Sequence, residues 1–298
     1  MRSAWLMTFL LAVPVATSTS AKEVGLTISS AAQSAQPGSV LLMVVTCRES
    51  PDRVVASALG RDVVFYPDPD GKTWRGLVGV DLESQPGKYV LIVRAIRAGQ
   101  PELSAAHDLQ VVPKRFPTRR LNVAARYASP PESALERIRQ ESERLAAIFQ
   151  RVTAHHWSGP FVLPVSDHPA SNFGARSIFN GQPRNPHAGI DFPSQEGTPV
   201  RAPNAGEIVL AESLFFTGNT VIVDHGLGLY SLLAHLSRID VQRGHAVESG
   251  ATVGLVGATG RVTGPHLHWA VRINEARVDP VSLVAAFQTP AARPRDHR

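Results

Sequence analysis

Two short stretches hold most of the residues that could do chemistry. In Pro186-His187-Ala188-Gly189-Ile190-Asp191-Phe192-Pro193 a histidine and an aspartate stand four apart, and in Gly264-Pro265-His266-Leu267-His268-Trp269 two histidines stand two apart. The prolines and glycine of the first stretch argue against a helix, so His187 and Asp191 are expected on an extended strand with a turn. Side chains two apart share a strand face, which aims His266 and His268 at one site. His235, in Ala234-His235-Leu236, ends an apolar run. A catalytic zinc takes three protein ligands from His, Asp or Glu and keeps a fourth position for water. His187, Asp191 and His268 fit that count. Two imidazoles and one carboxylate leave Zn2+ with a net positive charge, which can bring the pKa of a bound water down to about 7. His235 and His266 then remain to take the water's proton or to donate hydrogen bonds to the oxyanion formed on the attacked carbonyl.

Each residue taken singly also has a plainer reading. A strand histidine is commonly packed or exposed, and an aspartate can cap a turn. The joint reading is favoured because four histidines and an aspartate would all have to be incidental in one stretch. Other positions keep their plain readings. His225, in Asp224-His225-Gly226, is expected to be a turn residue, and His168 and His245 surface positions. His155 and His156 lack a third ligand. Arg176 could orient a substrate carboxylate with its planar fork, or be an exposed structural arginine.

Stepping outward to the elements, residues 158–289 alternate short strands and glycines and hold the candidate site. The runs Gly206 to Glu212, Asn219 to Asp224, Tyr230 to His235, Thr252 to Val256 and His266 to Ile273 predict antiparallel strands, with a tight hairpin turn at Asn180-Gly181. Residues 22–113 alternate β-branched runs (Val40 to Thr46, Asp62 to Tyr66, Leu77 to Leu82, Tyr89 to Ile96) with Pro/Gly turn signals, the pattern of an immunoglobulin-like β-sandwich. Between them, 114–157 holds a Pro/Arg-rich linker and an amphipathic helix. Its start is read from Ser129, Pro130 and Glu132 as a capping box, and its apolar face from Leu135, Ile138, Leu145, Ile148 and Phe149. The expected fold is mainly β throughout. The front half and helix could shield or align the cleft.

The chain has 298 residues and a formal charge of +5. Residues 1–21 read as a signal peptide: Met1-Arg2, an apolar run from Ala4 to Ala16 broken by Pro14, then small residues. That run is shorter than a bilayer span needs, and nothing later is long and apolar enough to cross one. The protein is therefore expected to act in the periplasm or outside the cell, with a short basic tail at 290–298. Cys47, the one cysteine, cannot form an internal disulfide and reads as a core residue. Basic side chains are interspersed with acidic ones, and no basic helix or zinc-finger spacing occurs, so nucleic-acid binding has no support. A lipoyl- or biotinyl-carrier reading fails because no lysine follows Lys114.

The ordered set Ser171-Asn172-Phe173-Gly174-Ala175-Arg176, Asn180-Gly181, Pro186-His187-Ala188-Gly189-Ile190-Asp191-Phe192, His235-Leu236-Ser237 and Gly264-Pro265-His266-Leu267-His268-Trp269 resembles the lysostaphin and LytM type of zinc endopeptidase. The match runs from about Phe161 to Leu283. The resemblance implies that His187, Asp191 and His268 bind zinc and that His235 and His266 are catalytic. It also implies a substrate: peptide bonds of peptidoglycan, either interpeptide bridges or D-Ala to diaminopimelate cross-links. The chain departs from the pattern at Leu233, where an aromatic residue is common, and at Ala270, where an acid is common. These departures touch substrate preference rather than metal binding. The alternatives are a non-catalytic relative that binds cell wall or activates an amidase, and zinc-dependent hydrolysis of another polymer.

Overall fold

The computed structural model describes residues 25–30, 32, 34–121 and 130–288. The expected signal peptide, Ser129 and the basic tail lie outside the described residues.

Strands β1 (Leu26–Ser30), β2 (Ser34–Ala35), β3 (Val40–Cys47), β4 (Arg53–Ala58), β5 (Arg61–Pro67), β6 (Thr73–Gly79), β7 (Gly87–Ile96) and β8 (Leu103–Val111) follow the order β1-β3-β6-β5-β4-β7-β8-β2. Non-sequential pairing of β3 with β6 and of β4 with β7 is the crossed connectivity of an immunoglobulin-like sandwich. The period-two rule shows on β7, where Leu91, Val93 and Ala95 are buried and their neighbours are not. Cys47 lies in this core, as expected. One strand runs differently from its expected place: β6 ends at Gly79 rather than spanning Leu77 to Leu82. Beyond it Asp81 accepts the backbone N–H of Glu83 at 2.9 Å, which turns the chain, while Val80 and Leu82 stay buried.

β3 alternates its allegiance. Leu41, Met43, Val45 and Cys47 enter the sandwich core, whereas Val40 and Leu42 belong to a second core built mostly from residues beyond 157. The seam between the halves is therefore apolar, and it is pinned by polar contacts. Arg277 donates to Asp81 through Nη2 (2.7 Å), Nε (3.1 Å) and its backbone N–H (2.8 Å). Asp279 N–H donates to Gly38 O at 2.8 Å, and Val40 N–H to Ser282 Oγ at 2.9 Å. Burial alone would raise the Asp81 pKa, but the Arg277 hydrogen bonds outweigh it and bring it to about 2. Removing one partner of a pair this enclosed strands the other charge. Asp81→Ala is expected to lower the unfolding free energy by about 2–3 kcal/mol, read as a shift in the urea midpoint at neutral pH.

The linker is not structureless. β9 (Thr118–Leu121) lies parallel to β10 (Arg176–Phe179), which forms the expected hairpin with β11 (Gln182–Pro183). Asn180 and Gly181 take the positive φ values, 51° and 81°, that a two-residue turn of this kind needs. The helix starts later than expected: a 3-10 turn at Glu132–Ala134 precedes α1 (Leu135–Phe149), and Pro131 caps without a side-chain hydrogen bond. Pro131 is the reason, since the residue before a proline is pushed out of helical geometry, and Pro131 itself is extended at ψ 150°. Leu135 consequently stands half exposed, not on the packed face. Leu145, Ile148 and Phe149 do pack, against a patch including Leu210, Ile222 and Tyr230. Glu141, buried, accepts Phe215 N–H at 2.8 Å and Arg137 Nε at 2.6 Å.

The remaining strands are β12 (Gly189–Phe192), β13 (Pro199–Arg201), β14 (Gly206–Leu214), β15 (Gly218–Gly226), β16 (Leu229–Ile239), β17 (Ala246–Val247), β18 (Thr252–Val256), β19 (Leu267–Ile273) and β20 (Ala276–Val278), followed by α2 (Pro280–Gln288). They form an antiparallel sheet of order β12-β19-β16-β15-β14-β17, with β18 bridging β13 and β16. No helix among the described residues is long and apolar enough to cross a membrane.

Candidate metal centre and cleft

The two histidine stretches meet because β12 pairs with β19, in a register that sets Asp191 opposite His268. His187, Gly189 and Asp191 fall on one side of this extended segment. Gly189 is there for a steric reason: a Cβ on it would lie 2.5 Å from Trp269 O and 2.7 Å from His268 Cε1, inside the volume the imidazole fills. The segment is held from behind by residues 170–175. Ala170 N–H donates to Asp191 O (2.7 Å), Gly174 N–H to His187 O (2.8 Å) and His187 N–H to Ala175 O (3.0 Å). Asn172 holds the carboxylate, its Nδ2 donating to Asp191 Oδ2 at 2.7 Å while its Oδ1 accepts Asp191 N–H at 3.2 Å.

Three ligand atoms come together. His187 Nε2 is 3.1 Å from His268 Nδ1 and 3.2 Å from Asp191 Oδ1, and His268 Nδ1 is 2.8 Å from Asp191 Oδ1. A tetrahedral ion with bonds of about 2.0–2.2 Å sets neighbouring ligand atoms roughly 3.3–3.6 Å apart, so two edges of the triangle need to open by a few tenths of an ångström and the His268–Asp191 edge by roughly 0.5–0.8 Å. The donor set of two imidazoles and one carboxylate, with Asp191 Oδ2 already committed to Asn172, fits a metal on its open side. Burial pushes the Asp191 pKa up, but hydrogen bonds from His187 and His268 outweigh this and hold it well below the usual carboxylate range. Burial lowers the His268 pKa against the opposing hydrogen bond to Asp191, favouring the neutral ring that a metal requires.

His235 enters from β16. Opposite it the β15–β16 register slips between Asn219 and Val221, and His235 takes a φ of 65°, a left-handed backbone rare for a residue with a Cβ. The bulge turns the ring into the cleft; its backbone N–H donates to Thr217 O at 2.9 Å. His235 Nδ1 bonds Thr259 O at 2.9 Å, and His266 Nδ1 bonds Gly264 O at 2.9 Å. Carbonyls only accept, so each ring carries a proton on Nδ1, and Nε2 is the nitrogen left for proton exchange. Burial lowers the His235 pKa to about 4, which keeps that ring neutral. The two rings lie 4.7 Å apart between centroids.

All five histidine and aspartate positions singled out from the sequence line one cleft of about 370 Å³. Its other walls are Phe216, Thr217, Arg261, Val262 and Thr263. These five come from loops without a motif, and nothing in their local sequence announces them. All described lining residues fall between His187 and His268, so no described residue of the front half contributes to the wall. Arg176 stands exposed on β10 and is not among the lining residues.

His225 corrects its expected place. It is fully buried near the end of β15, and the turn falls one step later, at Leu227-Gly228. The ring is satisfied on both sides, Nδ1 donating to Ala205 O at 2.8 Å and Nε2 accepting from Ser231 Oγ at 2.9 Å. Burial holds its pKa down at about 4, against an ordinary 6.5. Above pH 6.5 both folded and unfolded chains leave it neutral. As pH falls from 6.5 through 4 the unfolded chain takes up the proton first, and stability is lost. The loss should approach about 3 kcal/mol, seen as falling urea midpoints across that window, with a shallower fall in His225→Gln. His168 and His245 are exposed, as expected, while His155 stacks on Tyr66 at 4.2 Å.

Residues 185–280 match Peptidase family M23. DD-carboxypeptidase/endopeptidase Mpg of Neisseria meningitidis serogroup B is 45% identical over 104 residues, covering 35% of this chain and 24% of the relative. Peptidoglycan DD-endopeptidase ShyA of Vibrio cholerae is 39% identical over 118 residues, 39% of this chain and 27% of the relative. The aligned parts thus span about a quarter of these curated relatives. A crystal structure from Pseudomonas aeruginosa, assigned to peptidase M23, superimposes with a TM-score of 0.65 at 35% identity, over 84% of this chain and 95% of that one. With nearly the whole of that chain matched at 35% identity, and with His187, Asp191 and His268 all inside residues 185–280, this chain belongs to peptidase family M23.

Proposed function

We propose that the protein is an exported zinc metalloendopeptidase that hydrolyses peptide cross-links of bacterial peptidoglycan. The observation that carries this reading is the triangle of His187 Nε2, Asp191 Oδ1 and His268 Nδ1 beside the imidazoles of His235 and His266 in the same cleft. His187, Asp191 and His268 hold the zinc, which when bound supplies Lewis acidity towards the scissile carbonyl and towards water. His235 and His266, with Nε2 left for proton exchange, take the proton released on attack and return it to the leaving amine. The ring that has taken the proton donates to the developing oxyanion before passing the proton on. Asn172 fixes the Asp191 carboxylate, leaving Oδ1 for the metal. Relatives that act on peptidoglycan support the substrate class and an action outside the cytoplasm, with residues 1–21 as the export signal. We further read 22–113 as the sandwich unit, 114–157 as the connection and 158–289 as the peptidase unit.

Purified peptidoglycan incubated with zinc-loaded protein should release uncross-linked muropeptides, detected by mass spectrometry. Chelation should stop release and added zinc restore it, and His235→Ala should slow release by about 10²–10⁴-fold. Intact cross-links after incubation with metal-loaded protein would remove the substrate assignment.

A further inference from the structure

One loop holds both of the histidines assigned to proton handling. Residues 257–266 leave β18 and return to β19, and a bridge between Gly257 and His266 closes the loop at its base, with His266 N–H donating to Gly257 O at 3.2 Å. Just beyond that base Thr259 O accepts the Nδ1–H of His235, which belongs to a different strand, at 2.9 Å. His266 is therefore the foot of the loop, and the His235 ring leans on its side.

The Thr259 side chain fastens the loop at that point. Its hydroxyl donates to Leu236 O at 2.9 Å and accepts Asn219 N–H at 2.9 Å. With one proton to give and lone pairs to receive, it joins β15 and β16 where their register slips. Asn219 Nδ2 also donates to Leu236 O, at 3.0 Å. The loop then crosses the β14–β15 hairpin with no room for a side chain. A Cβ on Gly218 would lie 2.3 Å from Thr259 Oγ1, and one on Gly260 would lie 2.4 Å from Gly218 N. Past the crossing, Arg261 N–H donates to Phe216 O at 2.9 Å.

His235 needs this support more than an ordinary strand residue does. Its φ of 65° is left-handed. Such a backbone costs about 1–3 kcal/mol and persists only where its surroundings over-determine it. The His235 N–H is tied to Thr217 O, its ring to Thr259 O, and the carbonyl of the next residue to the Thr259 hydroxyl. The last two ties both run through Thr259. Thr259 itself is not among the residues lining the cleft, so any part it plays is through the ring it holds.

We propose that Thr259 is a positioning residue for His235. Its hydroxyl bolts the loop to β15 and β16, and its carbonyl then fixes the imidazole with the proton on Nδ1, leaving Nε2 for exchange. The effect on rate rests on the peptidase reading above; the fixing of the ring does not.

The test uses the full chain with isotopically labelled histidine rings, in the presence of zinc and near neutral pH. Long-range nitrogen–proton NMR distinguishes the two tautomers, and the His235 signals are those that vanish in His235→Ala. The wild type should carry its His235 proton on Nδ1. Thr259→Val keeps the shape and removes the hydroxyl. It should give a mixture of tautomers and lower kcat on cross-linked peptides by about 10–100-fold, with KM and zinc content little changed. Thr259→Ser, which returns the hydroxyl, should restore both tautomer and rate. If Thr259→Val folds poorly in a urea titration, Thr259→Ala, which removes the hydroxyl without adding bulk, is read in its place. A His235 still held with its proton on Nδ1 in the variant without the hydroxyl, a loss confined to KM, or a serine variant as impaired as the valine one would each overturn the proposal. A wild type that cuts no peptide would remove the peptidase reading, while a change of tautomer on loss of the hydroxyl would still support the positioning of His235, so the two failures are distinguishable.

Discussion

Replacing Asp191 by alanine is expected to abolish metal retention and to lower kcat/KM by more than about 10³-fold. The carboxylate is the only anionic ligand of the triangle, and without it two neutral imidazoles must hold a dication between them. The loss goes beyond one ligand. Asp191 Oδ1 lies within 3.2 Å of both ring nitrogens, so the carboxylate also sets the spacing of His187 and His268. Its removal leaves Asn172 Nδ2 without an acceptor and the rings free to turn. Equilibrium dialysis against zinc with elemental analysis, alongside peptide hydrolysis, checks this. Arg176→Ala, on the exposed face of β10, should behave as wild type in both measurements. An Asp191→Ala protein that keeps stoichiometric zinc and most of its activity would sink the ligand assignment.

Gly189→Ala is expected to be nearly as severe, although it adds a single methyl to a residue that touches no metal. Its Cβ would stand 2.5 Å from Trp269 O and 2.8 Å from His268 Nε2. Carbonyl and ring belong to β19, which is hydrogen-bonded to β12 on one side and to β16 on the other. Neither can retreat without breaking a ladder. The cheapest relief is displacement of the His268 ring, and misplacing a reactive group by about 1 Å costs around 10²-fold in rate. Hydrolysis should therefore fall by at least that factor and zinc affinity by about 10–100-fold. Overpacking should also cost about 1–3 kcal/mol in a urea titration. Wild-type kinetics in a stably folded Gly189→Ala protein would contradict the close approach.

The grouping of the proposed ligands is legible in the sequence because their spacing obeys strand geometry. Positions 187 and 191, and positions 266 and 268, each share a side of an extended chain, and the pairing of β12 with β19 brings the two pairs together. What was not legible depends on contacts between distant segments. Arg261 lines the cleft from a loop whose sequence resembles any other glycine-rich turn. The steric role of Gly189 is invisible until His268 is placed against it. His225 was misread because Asp-His-Gly looks like a turn, whereas β15 runs through it and bends only at Leu227-Gly228. The helix starts later than its capping-box pattern implies because Pro131 restricts the backbone of Pro130.

The divided allegiance of β3 has a consequence for anyone who wishes to move the hydrolytic half into another setting. Cutting the chain after residue 157 would strip Val40, Leu42, Leu77 and Leu82 from a core they share with Ile273, Val278 and Leu283. It would also leave Arg277 facing solvent across a bare greasy wall. The severed piece would be sticky before it was inactive. A transplant would need that wall repainted with polar side chains, or the sandwich carried along as a permanent chaperone fused in cis.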